Sequence, residues 1–494
     1  MPTLIIHSAA ALYTCDATDR VLRDAYLIAE GPEVLAVGEG PCPVMQADQV
    51  IDASGCVVLP GFINLHHHFF QSITRAVPFA QRTHSLDWLH RLYPLWLELS
   101  LEGMYWSSRA AASELLLTGA TTSADHSYFM PVQENDFAEA ETRAAADAGL
   151  RLHLVRGSTV TIEGDLESKL RPLLGNRMAA LLDAEERVIP LARHAIKAHH
   201  DASRFSMLRV DLGPTGITYA KPRLMRAYAD LAREAGVGLH THFHPREDER
   251  RRALEMVGME PLDFLRASGW IRERTWMAHC SGLNDAEIAA FAEAGVGVAH
   301  CPRTLIRLGY PLTRISAMRA AGVRVGFGVD GAASNDCGSA ISDIRLGLLL
   351  HRLNTPLSVD AEEAWMTPYD ALLMATRTAA AVLGRDDIGA LAPGMAADIT
   401  MFRLDGVPLS GGLADPLGGL FMAGADGRSE ATIVNGHLRV RHGHLVDVDE
   451  AHVAAEANRC AAVQREAAGR ATGIDFARYP ASGAEARRAL KVPE

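Results

Sequence analysis

The chain has 494 residues, of which 48% are hydrophobic and 22% charged, and it carries a formal charge of −12. That is ordinary for a globular protein with a large core, and the acidic balance, with no basic block, argues against nucleic acid as a partner. No stretch of about 18 apolar residues occurs, so no membrane span is expected.

Seven cysteines are scattered along the chain without a C-x-x-C pair. They read as free thiols in a reducing cytoplasm, not as a disulfide framework. The opening MPTLIIHSAAALYTCDATDR lacks a basic region, and its short apolar run is broken by His7. It is read as a first strand, not a signal peptide.

Residues 1–59 alternate apolar and polar positions between turn signals, as in AYLIAEGPEVLAVGEG and QVIDASGCVVLPG. The same texture returns in 394–405 and 430–449, where Asn435-Gly436 predicts a tight hairpin turn. Both ends are therefore expected to build one small β-sandwich domain, from residues 1–59 and 390–445.

Residues 60–389 follow another rhythm. Eight short β-rich runs stand at 61–68, 120–126, 151–157, 208–214, 237–243, 275–280, 295–301 and 324–331. Between them lie helical stretches such as PRLMRAYADLAREAG and NDAEIAAFAEAG, each closed by glycine. Eight strand–helix alternations predict an α/β fold of the (β/α)8 TIM-barrel type. A doubly wound sheet would need a glycine-rich turn after its first strand, and three histidines stand there instead. Residues 446–494 are rich in Ala, Glu and Arg and predict a helical extension packed on the body or on a sister subunit.

Polar residues gather where these runs end. Side chains at i and i+2 of a strand share a face, so His66 with His68, and His240 with His242, can both point into a barrel mouth. His279 closes the sixth run and Asp330 the eighth. Imidazoles and a carboxylate arriving from different strands make a mixed N/O site for Zn²⁺, with Fe²⁺ as the alternative.

The segments PGFINLHHHFFQSITR, ADHSY, HTH, MAHC, AHCP and GFGVDGAASND resemble the amidohydrolase superfamily over nearly the whole chain. They are most similar to its cytosine-deaminase-like and chlorohydrolase branch, and within it to 8-oxoguanine and isocytosine deaminases and hydroxyatrazine ethylaminohydrolase. The resemblance implies one divalent metal ion on His66, His68, His242 and Asp330, with His67 turned away. It implies that Asp330 takes a proton from the attacking water and that His279 polarises substrate or orients the water. The absence of lysine from LRVDLGP implies a single metal ion. Gln71, Arg75, Trp88 and Tyr128 are the candidate substrate contacts. Leu305 stands where relatives commonly carry asparagine, which puts transfer of a relative's substrate in doubt.

One departure is plain. Relatives continue the strand-5 ligand as H-x-x-E, and the glutamate moves protons; here that position is Pro245, which has neither side-chain donor nor acceptor. Three readings stay open. In the first a neighbour substitutes, Glu247 before His244, Asp248 or Glu249. In the second Asp330 and His279 suffice. In the third the chain is a non-catalytic binding module on an enzyme scaffold. The expected function is metal-dependent hydrolytic deamination of a small nitrogen-rich heterocycle such as 8-oxoguanine, isocytosine, a pterin or a hydroxytriazine. Hydrolysis of an acyclic guanidine or urea compound such as guanylurea is the alternative. The expected partners are a small-molecule substrate and further copies of the chain, as a dimer or higher homo-oligomer.

Overall fold

The computed structural model describes residues 2–130, 135–162, 164–355, 364–424 and 427–480. Eight strands form one parallel sheet in chain order: β1 (Phe62–Asn64), β2 (Ala120–Ser127), β3 (Arg151–Arg156), β4 (Leu208–Leu212), β5 (Leu239–Phe243), β6 (Thr275–His279), β7 (Gly297–His300) and β8 (Val325–Phe327). Each coincides with one of the apolar runs read from the sequence. The strands β2, β3, β6 and β7 are buried at every position, as expected where helices cover one face and the barrel interior the other. The two edges meet: Leu65 N–H donates to Phe327 O at 2.8 Å and Asp330 N–H to His66 O at 2.9 Å. The sheet is thus a (β/α)8 barrel, and its strand ends point at one mouth.

The wall between β4 and β5 is unusually tight. Their register pair is Leu212 with Leu239, and beyond it a Cβ on Gly213 would fall 1.6 Å from His240 O. Only glycine lets the two backbones approach so closely there. The chain after β4 then crosses toward β5, which brings the Thr215 carbonyl to His242.

Both chain ends contribute to two further sheets. One holds Glu33–Glu39, Ala25–Glu30, Thr3–Ala9 and Gln49–Asp52 in that order. The other places the late strand Ile399–Arg403 antiparallel beside Cys56–Pro60. Leu4, Ile6, Leu27, Val58, Ile399, Met401 and Ile433 from both sheets share one core, so the sheets pack face to face. The hairpin at Asn435-Gly436 has φ of 54° and 78°, the paired positive values of a tight two-residue turn.

That turn is tied to the barrel by a buried ion pair. The Arg151 guanidinium, fully buried at the start of β3, pairs with Asp398 and donates to Asn435 Oδ1 at 3.1 Å and Ser206 O at 3.1 Å. Asp398 Oδ1 in turn accepts from Asn435 N–H at 2.8 Å.

The extension forms the helix Glu450–Thr472, which buries Val453, Cys460, Gln464 and Ala468 against the body of its own chain. Gln464 Nε2 donates to Leu95 O at 3.0 Å, and the His452 ring meets Trp106 edge-on at 5.2 Å. Residues 481–494 of the expected extension lie outside the described residues.

The buried pair gives a stability test. Asp398→Ala leaves the Arg151 charge buried without a partner, and breaking such a pair costs about 3–5 kcal/mol. A lowered urea midpoint for unfolding is the expected result; an unchanged midpoint would show that the pair does not hold the sheets to the barrel.

Candidate metal centre and reaction pocket

Four side chains converge at the barrel mouth. One ligand atom from each of His66, His68, His242 and Asp330 lies within 4.8 Å of the others. His68 Nε2 is 3.0 Å from His242 Nε2 and 3.1 Å from Asp330 Oδ1, and His66 Nε2 is 3.4 Å from Asp330 Oδ1.

The far nitrogen of each ring shows why this cluster suits a cation. His68 Nδ1–H donates to His126 O at 2.9 Å, and His242 Nδ1–H donates to Thr215 O. His240 Nδ1–H donates to Trp276 O at 2.9 Å, so its Nε2 is an acceptor and takes the proton of His66 Nδ1 at 2.8 Å. Where the rings are neutral with Nδ1 as the donor, their Nε2 atoms present lone pairs to one another and to a carboxylate. Burial holds His66 and His242 far below the usual imidazole range, so neither relieves the contact by gaining a proton. His66 Nε2 has no hydrogen-bond partner. Buried lone pairs at these distances repel unless a positive ion sits between them. Three imidazole nitrogens with one carboxylate are also a donor set that divalent zinc or iron accepts.

Both residues at the strand ends are held in uncommon backbone. His279 has φ 71° and Asp330 φ 64°, in the left-handed region that costs a non-glycine residue about 1–3 kcal/mol. The loop carrying Asp330 is pinned on two sides. Val329 N–H donates to Asn64 Oδ1 at 2.8 Å, while Asn335 Nδ2 reaches both Val329 O and Asp343 Oδ2, the latter at 3.0 Å. Gly331 N–H donates to Asp330 Oδ1 at 2.7 Å.

Around the cluster lies a cleft with a cavity of about 120 Å³. On one side His279 stacks between His242, at 5.4 Å, and His244, at 4.4 Å, with near-parallel rings. Its Nε2 is 3.9 Å from Asp330 Oδ2, and burial brings its pKa down to about 4. Tyr310 continues the stack at 4.6 Å, capped by the Arg246 guanidinium at 4.4 Å from its ring. On the other side Trp88 lines the cleft, its Nε1–H held by Ala333 O at 2.9 Å, and Tyr128 meets the His68 ring edge-on at 4.8 Å.

Not every expected residue arrives. His67 turns away, as the resemblance implied, its Nδ1 accepting from His68 N–H at 2.7 Å. Gln71 is buried behind Tyr128, with its Nε2 3.5 Å from the Tyr128 hydroxyl. Arg75 is exposed and paired with Glu114, so its charge is spent outside the cleft. Glu247, the preferred replacement for the proton carrier, is exposed at the first turn of the helix Glu247–Val257 and does not line the cleft. Glu249, one helical half-turn on, does line it, as do Arg252 and Tyr219, which the sequence did not suggest. His240 lies one layer deeper than His242 and orients His66. The alternation rule that put both on one face left their depth open.

His240→Phe keeps a ring on Trp276, which His240 faces at 4.7 Å, but removes the acceptor that orients His66. Loss of such an outer partner lowers metal affinity about 10–100-fold. Competition against a chelator measures this, and wild-type affinity in the variant would contradict the role given to His240.

The amidohydrolase family profile matches residues 57–455. The 8-oxoguanine deaminase of Pseudomonas aeruginosa is 35% identical over 444 residues, covering 90% of this chain and 95% of that protein. Hydroxydechloroatrazine ethylaminohydrolase of Pseudomonas sp. (strain ADP) is 34% identical over 452 residues, with 90% of each chain covered. Among solved structures, atrazine chlorohydrolase TrzN from Arthrobacter aurescens TC1, complexed with zinc, superposes with a TM-score of 0.85 at 34% identity, over 93% of this chain and 100% of that one. With a profile match across most of its length, relatives above 30% identity and the converging histidines at the mouth of a (β/α)8 barrel, the chain belongs to the amidohydrolase family.

Proposed function

We propose that this protein is a zinc-dependent aminohydrolase that removes ammonia or an amine from a small nitrogen-rich heterocycle. The substrate class is that of 8-oxoguanine, isocytosine, pterins and hydroxytriazines. The observation that carries the reading is the convergence of three imidazole Nε2 atoms and an Asp330 carboxylate oxygen at the floor of a cleft lined by Trp88, Tyr128 and Tyr219. The deaminase and ethylaminohydrolase relatives support the reaction, and the zinc complex of the structural neighbour supports the ion.

His66, His68, His242 and Asp330 would hold the ion, which supplies Lewis acidity that brings the pKa of water toward neutrality. The remaining work falls to side chains. Asp330 turns Oδ1 toward His66 and His68 and Oδ2 toward His279, so Oδ2 is free to accept the proton of an attacking water. His279, neutral near pH 7, presents Nε2 to the same water or to a substrate oxygen. Trp88 gives the ring an apolar wall, and Tyr128 closes the side nearest His68.

All seven cysteines are free, which supports a reducing, cytoplasmic setting. The proposal also carries a homo-oligomer, dimer or higher, and light scattering that returned the monomer mass would remove that part of it.

Ammonia or amine release from the zinc-loaded protein tests the function, across 8-oxoguanine, isocytosine, a pterin, a hydroxytriazine and guanylurea. Turnover of one or more rings is expected. Turnover of guanylurea alone would favour the acyclic alternative, and release from none of them would remove the enzymatic reading for this class. Asp330→Asn should lower kcat at least about 100-fold, the lower end of what a positioned proton acceptor contributes.

A further inference from the structure

We infer that Glu249 is the substrate-side proton carrier of this pocket, doing from the helix after β5 what Pro245 cannot do from the strand end. The inference rests on the reaction proposed above and adds a catalytic residue to it. Hydrolytic deamination needs two proton carriers, because a ring nitrogen gains a proton while water loses one. Asp330 accounts for the water proton. The second carrier must line the cleft, exchange a proton near neutral pH and keep one oxygen or nitrogen free.

Few groups meet those conditions. Asp248 lines the cleft but is tied to Arg246 at 2.9 Å. His244 donates to or accepts from Ser281 Oγ at 2.8 Å, and burial holds its ring neutral, so it is a poor acid. Burial lifts the Tyr128 and Tyr219 hydroxyls above the ordinary phenol range, which makes them worse acids still. Glu249 remains. It is 7% exposed, it lines the cleft, and its Oε2 accepts the His244 backbone N–H at 2.8 Å. That bond anchors the carboxyl to the exit of β5, two residues past His242, and leaves Oε1 for the cleft.

Its surroundings suit the task. Arg252 and Arg246 favour the Glu249 carboxylate, Asp248 opposes it, and Tyr219 and Cys280 face it from the segments after β4 and β6. Burial outweighs the arginines and pushes its pKa up to about 7, so both proton states are populated near neutrality.

The step balances as follows. Water oxygen bonds to the ring carbon, one water proton passes to Asp330, and the ring C=N electron pair moves onto nitrogen. That nitrogen takes the Glu249 proton. The C–N bond to the exocyclic amine then breaks, the amine leaves with the proton held by Asp330, and the hydroxyl proton of the new C=O returns to Glu249. Both carboxyl groups end as they began, and water plus amine substrate has become carbonyl product plus ammonia.

Glu249→Gln keeps an oxygen for the His244 N–H and removes the transferable proton. The expected result is a fall of about 100-fold or more in kcat, with zinc content and inhibitor affinity retained. Wild-type kcat/KM should fall as pH rises through about 7, where Glu249 loses its proton, and this limb should be missing in the variant. A readout independent of turnover is the carboxyl C=O infrared band of the zinc-loaded protein without substrate. Part of it should disappear with a midpoint near pH 7 in wild type, and the wild-type minus Glu249→Gln difference should isolate that part from Asp343, which burial also lifts to about 7. Turnover retained in Glu249→Gln, or a difference band with no loss near neutral pH, would overturn the assignment. The same loss in Glu247→Gln but not in Glu249→Gln would overturn it as well. Failure of the wild type to release amine from any ring would count against the proposed function and leave the infrared titration to judge Glu249 alone.

Discussion

The barrel mouth is organised by a single constraint, the direction in which three imidazole rings carry their protons. Two backbone carbonyls, of His126 and Thr215, and one deeper imidazole, His240, occupy the Nδ1 side of the rings. Every Nε2 is thereby left as a lone pair aimed at Asp330. In water such groups would simply hydrate. In a dry pocket they form a concentrated patch of unpaired acceptors, which is unfavourable until a cation neutralises it. A cation bound there would relieve that cost.

Holding that arrangement requires support elsewhere. The Thr215 carbonyl reaches His242 only because Gly213 lets β4 pass close to His240. Asp330 sits in left-handed backbone, and the loop on either side is pinned by Asn64, Asn335 and Asp343. His279 has the same strain, and Thr313 bonds its carbonyl at 2.7 Å. Strain of this kind persists where the surrounding structure over-determines it, and here it turns two reactive groups toward the same point.

Proline at position 245 does not leave the pocket without acids. Pro245 stands between the end of β5 at Phe243 and the start of the helix at Glu247. The His244 N–H, just before the proline, is met by the Glu249 carboxylate. In this geometry a helix side chain takes the position over the cleft that a strand-end side chain would otherwise fill. The same helix brings Arg252 beside it, so the local charge is balanced within one turn.

The sequence by itself determined the barrel, because burial on both faces of a parallel strand leaves a continuous apolar run, and eight such runs separated by helical stretches permit few other folds. It also placed His66, His68, His242 and Asp330 at strand ends that a barrel must bring together, and they do converge. The hairpin at Asn435-Gly436 was legible for a local reason, the need for two positive φ values. Only the tertiary structure decided the rest. Period-two alternation says which face His240 and His242 share, but residues two apart on a strand differ by about 6–7 Å in depth, and that depth separates a ring bonded to His66 from one that joins the cluster at the mouth. Likewise Glu247 and Glu249 are alike in sequence, yet at 3.6 residues per turn they point about 200° apart, one into solvent and one into the cleft. Arg75 was drawn out of the cleft by Glu114, a partner 39 residues away. Depth, helix phase and distant partners are set by how elements pack, and no local pattern encodes them.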